Sequence, residues 1–259
     1  MRASTALRCC WITMNNRKCR PDPYLHIGYV PKPRTERVLI DNAPAFLHGV
    51  RAALCADVHL RRHTSNRRLH EIIDCIAGTN ADMLLLGGDY GEGASQCVRF
   101  LDALSRLHFP LGAYAVRGNN DIVLPNRSDV RFLINQDICI PIGGGTLAIG
   151  GMDDYKYGAP DARNLFRSAV DYRILLSHFP IIANCPADLM ISGHTHAGQI
   201  NLLGVTPYTV GFEGRYPICA LRGLHSIDRL QVYVTRGIGC SKLPIRLGAA
   251  PEITLIEFG

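Results

Sequence analysis

The 259-residue chain has no uninterrupted apolar run approaching the ~20 residues that a membrane-spanning helix needs. The basic, cysteine-rich segment Met1–Pro23 lacks a continuous apolar stretch, so a cleavable export signal is not expected. There is no internal repeat and no low-complexity linker, which excludes solenoids and strings of small modules. Long Lys/Arg runs are missing too. The formal charge of +6 favours anionic partners such as phosphates or an anionic membrane surface, without marking a nucleic-acid tail. The ten cysteines form no CxxC pair, which argues against a zinc knuckle and for reduced thiols in a cytosol.

The apolar fraction, 47%, suffices for a buried core in one large domain. Residues 1–36 read as a basic, flexible or loosely docked N-terminal arm, in which Met14 is an alternative start and Cys9, Cys10 and Cys19 are incidental. Residues 37–259 read as the domain. Short apolar runs at Val38–Ile40, Arg51–Ala56, Met83–Gly88 and Ala113–Val116 predict strands. Further strands are expected at Ile138–Pro141, Thr146–Gly150, Arg173–Leu176, Leu189–Ser192, Gln231–Thr235 and Glu252–Phe258. Helical spacing appears over Arg67–Ala77, closed by Gly78, and over Ser95–Leu107, with Val98, Leu101, Leu104 and Leu107 on one stripe. Val130–Asn135 continues the strand–helix alternation as a short helix. Together these predict an α/β fold of two sheets packed face to face, with helices outside.

Five of the predicted strands run directly into clusters of metal-type ligands. The clusters are Asp57-Val58-His59, Gly88-Asp89, Gly118-Asn119-Asn120-Asp121, Ser177-His178 and Gly193-His194-Thr195-His196. Ligands released at strand carboxyl ends gather along one sheet edge, where open α/β sheets bind their substrates. Asp57 and His59, two apart on an extended segment, point the same way, and so do His194 and His196. The carboxylate of Asp89 has two oxygens and can bridge two cations, while Asn119 offers a neutral carbonyl oxygen. Mixed nitrogen and oxygen ligands without thiolate fit two divalent ions, manganese first, with Fe, Zn or Co as alternatives. Two such ions can hold a hydroxide between them and grip phosphate oxygens for in-line hydrolysis.

In this order the blocks resemble those of the calcineurin-like metallophosphoesterases: D-x-H, G-D, G-N-H-D/E, H and G-H-x-H. The longer strings Gly193–Ile200, Arg236-Gly237-Ile238-Gly239 and Leu243-Pro244-Ile245-Arg246 are similar to a bacterial phosphodiesterase branch whose members are often exported or membrane-associated. The resemblance implies a four-layer αββα sandwich. It also implies one ion held by Asp57, His59, Asp89 and His196, and a second held by Asp89, Asn119, His178 and His194. The third block holds the catalytic candidates Asn120 and Asp121, and Asn120 stands where the family usually carries a histidine. An amide has no titratable proton near neutral pH, so general acid catalysis from this position is not expected. His63, Arg117 and Arg236 are candidate substrate contacts, and Asp153 or Asp154 a candidate support for a ligand histidine. His26, His48, His70 and His108 read as structural, and Arg61-Arg62-His63 with Arg67-Arg68 as a solvated face.

A dinuclear phosphodiesterase or diphosphate hydrolase is therefore expected, cytosolic, with peripheral membrane association as a sub-case, acting on a phosphorylated small molecule or a lipid-linked substrate such as a nucleotide-activated glycolipid. No protein partner is expected. A non-catalytic binding platform would have shed ligands, and a nuclease would need a basic groove.

Overall fold

The computed structural model describes residues 22–127, 129–210 and 217–259. The first half contains β1 (Leu25–Ile27), β2 (Arg34–Ile40), β3 (Arg51–Cys55), α1 (Asn66–Ala77), β4 (Met83–Leu86), α2 (Ala94–Leu104), β5 (Ala113–Ala115) and β6 (Arg131–Phe132). The second half contains β7 (Gln136–Ile142), β8 (Gly145–Gly151), β9 (Tyr172–Ser177), β10 (Leu189–Ser192), β11 (Gly223–Ile227), β12 (Leu230–Val234), β13 (Ile245–Leu247) and β14 (Glu252–Phe258).

Two six-stranded mixed sheets form the centre. The first runs β2-β14-β3-β4-β5-β6, with β3 to β6 parallel and β14 antiparallel to β3. The second runs β11-β12-β10-β9-β8-β7, parallel from β12 to β8 and antiparallel at both edges. Strand alternation sorts the side chains into layers. Ala52, Leu54, Met83 and Leu85 of the first sheet meet Leu147, Ile149, Ile174, Leu176 and Ile191 of the second in one buried core. On the other face of the first sheet, Ala53, Cys55, Leu84 and Leu86 pack against both helices.

Helix α1 begins at Ser65, whose side chain accepts from the Arg68 amide, and buries Leu69, Ile72, Ile73 and Ile76. Helix α2 is shorter than its sequence pattern and rotated from it. It buries Cys97, Phe100, Leu101 and Leu104, while Val98 is exposed. The Ser105 hydroxyl bonds back to the Asp102 carbonyl at the helix end, which helps stop it before Leu107. The segment expected as a helix over Val130–Asn135 instead supplies the two-residue edge strand β6, and the Leu133 amide donates to Ala115.

Among the described residues no α-helix covers the outer face of the second sheet. Loops do so instead, with Met152, Leu165 and Phe166 packed over Leu175, Met190, Val232 and Val234. The Phe166 ring fits because position 150 is glycine: a Cβ there would lie 2.6 Å from the ring.

The expected arm is built into the fold from Asp22 onward. Strand β1 pairs with β13, and β2 pairs along its whole length with β14. Residues 1–21, with Met14, Cys9, Cys10 and Cys19, lie outside the described residues. Cys55, Cys75, Cys97, Cys139, Cys185, Cys219 and Cys240 are free thiols. No helix among the described residues is long and apolar enough to cross a membrane.

Candidate metal centre

The parallel strands β3, β4, β5, β9 and β10 each end just before one of the five clusters, so the loops that follow meet at one edge of the sandwich. Those loops are knitted by their own backbones. The Asp57 amide donates to Gly88 at 2.9 Å and the His59 amide to Asp89 at 3.0 Å. The chain turns sharply there, and five ligand candidates have left-handed backbones: Asp57 (φ 53°), His59 (45°), Asp89 (58°), His194 (71°) and His196 (50°). Each such residue costs ~1–3 kcal/mol, a strain that surrounding contacts must hold in place. Gly118 makes the closest approach possible, since a Cβ on it would lie 2.2 Å from Asp89 Oδ1.

The side chains of six predicted ligand positions, Asp57, His59, Asp89, His178, His194 and His196, lie together. Ligand atoms of Asp57, His59 and His196 lie within 4.8 Å of one another, as do those of Asp57, Asp89 and His178. Asp89 Oδ2 stands between the groups, 3.4 Å from His59 Nε2 and 3.5 Å from His178 Nε2. Neither pair of ligands sits on an extended strand with both side chains on one face. Asp57 and His59 converge through left-handed turns rather than an extended strand, and His194 and His196 part company. His194 faces His178, with Nδ1 3.3 Å from Nε2, whereas His196 faces His59, with the two Nε2 atoms 3.1 Å apart.

Three rings are held from behind through Nδ1. His59 Nδ1 lies 2.7 Å from Glu92 Oε1, His178 Nδ1 lies 2.8 Å from the Gly87 carbonyl, and His196 Nδ1 lies 3.1 Å from the Gly239 carbonyl. Glu92 and the Gly87 carbonyl can only accept, so in neutral His59 and His178 the Nδ1 atoms carry the protons and the Nε2 lone pairs face inward. His196 Nδ1 meets both the Gly239 carbonyl and, at 3.0 Å, the Arg246 Nη2 donor, so no single tautomer is fixed there. Asn119 Oδ1 is buried with no partner. Inward lone pairs and the orphaned Asn119 oxygen, beside two buried carboxylates that keep spare acceptor capacity, form a set that a divalent cation satisfies.

The electrostatics of the metal-free cluster reflect that crowding. Burial pushes the Asp57 carboxyl up to about 6 despite the opposing pull of His178. Burial also acts on Asp89, but the neighbouring His178 outweighs it and holds that carboxyl well below the usual range. The same pairing raises His178 against its own burial. Burial lowers His194 and His196, keeping both rings neutral.

The remaining candidates divide. Asn120 donates its backbone and side-chain amides to Asp89, at 2.8 and 2.6 Å. Asp121 is buried and accepts from the amides of Asp89 (2.6 Å), Tyr90 (3.1 Å) and Gly118 (3.0 Å), so it positions the ligand loops and has no free face for substrate. Arg117 is bound bidentately by Asp153. Arg236 is held by Glu252, Asp22 and Glu36. Both candidate phosphate contacts are thus paired with carboxylates in this structure. Asp154 accepts from the amides of Lys156 and Tyr157, so neither Asp153 nor Asp154 supports a ligand histidine through a hydrogen bond. Glu92 does so instead. His63 is exposed in the loop before α1.

Sequence reasoning missed Glu92 and Arg246. Arg246 is fully buried and donates to the carbonyls of Arg236, Gly239 and Ala249, with Nη2 3.0 Å from His196 Nδ1. Glu92 lies three residues past Asp89 with nothing local to mark it; Arg246 stood in a recognised string, but a lone arginine reads as surface.

Comparison with known proteins agrees with this geometry. Residues 50–198 match the model of the calcineurin-like phosphoesterase family. The chain is 29% identical over 193 residues to the metallophosphoesterase YkoQ of Bacillus subtilis, covering 67% of this chain and 71% of that protein. It is 27% identical over 235 residues to the phosphodiesterase YaeI of Escherichia coli, covering 84% of this chain and 83% of that one. A Bos taurus transmembrane protein with a metallophosphoesterase domain is 26% identical over 263 residues, which span 89% of this chain and 57% of the bovine protein. With its ligand blocks gathered in one buried cluster, the chain belongs to the calcineurin-like phosphoesterase family and is a metal-dependent phosphoester hydrolase.

Proposed function

We propose that the protein hydrolyses phosphodiesters or diphosphates with two divalent ions, manganese foremost. Asp57, His59, Asp89 and His196 would hold one ion, and Asp89, Asn119, His178 and His194 the other. The observation that carries this reading is the position of Asp89 Oδ2 between His59 Nε2 and His178 Nε2, at 3.4 and 3.5 Å, where one carboxylate serves both halves of the cluster. When bound, the ions would supply charge for the phosphoryl oxygens and acidify an attacking water.

The chain's own residues do the remaining work. Glu92 and the Gly87 carbonyl keep His59 and His178 in the ligating tautomer, and the Gly239 carbonyl and Arg246 hold the His196 ring in place. Asp121 holds the Gly118 and Asp89 loops against each other. Asn120 keeps the Asp89 carboxylate oriented and has no proton to give a departing alkoxide. This favours leaving groups that depart without protonation, such as a second phosphate or an aryl oxide. Substrates on that reading are small phosphorylated molecules, or lipid-linked ones met by a cytosolic protein at a membrane surface. The Bos taurus relative, named as a transmembrane protein, makes the lipid-linked case worth including.

The test is a hydrolysis panel of monoester, diester and diphosphate substrates across Mn, Fe, Zn and Co, run beside metal analysis. Two ions per chain with diester or diphosphate turnover is the expected result. Full turnover in metal-free protein would refute it.

A further inference from the structure

Beside the metal centre lies a second, positively charged cleft of about 500 Å³, lined by Tyr29, Arg61, Arg62, His63, Arg68 and Glu92 among others. Glu92 belongs to both places: its Oε1 lies 2.7 Å from His59 Nδ1 and 3.5 Å from Arg61 Nη2. The cleft and the ligand cluster are therefore separated by one side chain.

The cations of this cleft are arranged rather than merely solvated. The Arg61 guanidinium lies over the Tyr29 ring at 3.7 Å and donates from Nη2 to the Ser241 carbonyl at 2.5 Å. Its Nε is buried without an acceptor. The turn carrying it is closed by the Thr64 amide on the Arg61 carbonyl and by the Arg61 amide on the Thr64 hydroxyl, at 2.9 and 3.1 Å. Arg68, in the first turn of α1, is steadied by Glu71 at 2.6 Å. Arg62 is exposed and makes no ion pair among the described residues. Three guanidiniums thus line the cleft; its one lining carboxylate, Glu92, is shared between His59 and Arg61, Arg68 is held by Glu71, and Arg62 is the guanidinium with no carboxylate partner among the described residues. Planar guanidiniums held in place suit phosphate oxygens.

Resting on the hydrolase reading above, we propose that this cleft is a subsite for a second phosphate carried by the substrate, on the arm beyond the scissile phosphodiester. Substrates bearing that second anion gain binding at Arg62, on the cleft that shares Glu92 with the ligand cluster. A substrate with one phosphate gains nothing there.

The test uses a matched pair of 4-nitrophenyl phosphodiesters, one whose far arm ends in a phosphomonoester and one whose far arm ends in a hydroxyl. Both release the same leaving group, so the ratio of their kcat/KM values isolates the far arm. One charge-assisted contact is worth about tenfold, and the wild-type ratio should reach about that value. Arg62→Glu should bring the ratio near one, and Arg62→Lys should restore most of it; a purely structural role for Arg62 would move both substrates together. If both esters are hydrolysed with a wild-type ratio near one, or with a ratio that Arg62→Glu leaves intact, the subsite is wrong and the hydrolase reading stands. If neither ester is hydrolysed with any of the four metals, the reading of the metal centre falls and the subsite falls with it.

Discussion

Asn120 grips Asp89 at both carboxylate oxygens, with its backbone amide 2.8 Å from Oδ1 and its side-chain amide 2.6 Å from Oδ2. The residue that replaces the family histidine is therefore tied to the carboxylate shared by the two halves of the cluster. Two consequences separate: loss of an acid, and gain of a clamp.

Loss of the acid shows in a leaving-group series. General acid help is worth ~10²–10⁴-fold where a poor leaving group needs it. Wild-type enzyme should therefore fall steeply as leaving-group pKa rises, and Asn120→His should flatten that slope by raising the slow substrates most. A flat wild-type slope would mean that another residue supplies the proton, with His63 of the adjoining cleft the first to test.

The clamp is read in a different variant. Asn120→Ala keeps the backbone donor but removes the one on Oδ2, a contact to a charged group worth ~1.5–3 kcal/mol. Turnover should drop by about 10–100-fold on all leaving groups alike, with the slope unchanged.

Asp89→Ala tests the shared carboxylate itself. It removes the oxygen standing between His59 and His178, so ion content measured by inductively coupled plasma analysis should fall from two per chain to one or fewer, with nearly all activity lost. A variant that kept two ions and wild-type turnover would sink the assignment.

Glu92 supports His59 without reaching the ligand centre. Removing such a support lowers metal affinity by ~10–100-fold. Glu92→Ala should weaken metal binding in that range by competition with a chelator, and Glu92→Gln, which still accepts a hydrogen bond, should weaken it less. Equal affinities in all three proteins would leave Glu92 a bystander.

Much of this site was legible because strand ends announce themselves: apolar runs such as Met83–Leu86 break at glycine, and Asp89 follows. What stayed hidden depends on distant partners. The first residues of strand β2, Arg34 to Glu36, read as arm because this edge strand pairs only with β14 and leaves Arg34 and Thr35 exposed, so no apolar alternation marks its start. Arg117 and Arg236 look like free cations until Asp153, 36 residues on from Arg117, and Glu252, 16 residues on from Arg236, arrive beside them. The rotation of α2 toward Phe100 likewise follows from packing on Tyr90, a ring 6.0 Å away.

The last expectation concerns pH. In the metal-free protein burial pushes Asp57 up to about 6, so below that pH its carboxyl holds a proton that a cation must displace. Protonation of a ligand nitrogen on His59 or His178, both raised by neighbouring carboxylates, opposes the cation in the same direction. Metal binding therefore releases protons, and affinity rises with pH. For Asp57 alone the sign is fixed by its raised value: protons compete below about 6, and that competition fades above it. Histidine protons extend the climb to higher pH. Between pH 5 and 7.5 the apparent affinity for manganese should rise by at least tenfold, and calorimetry in two buffers of different ionisation heat should detect proton release. Affinity that stays level across that window would mean the ion is held by groups other than these carboxylates and imidazoles.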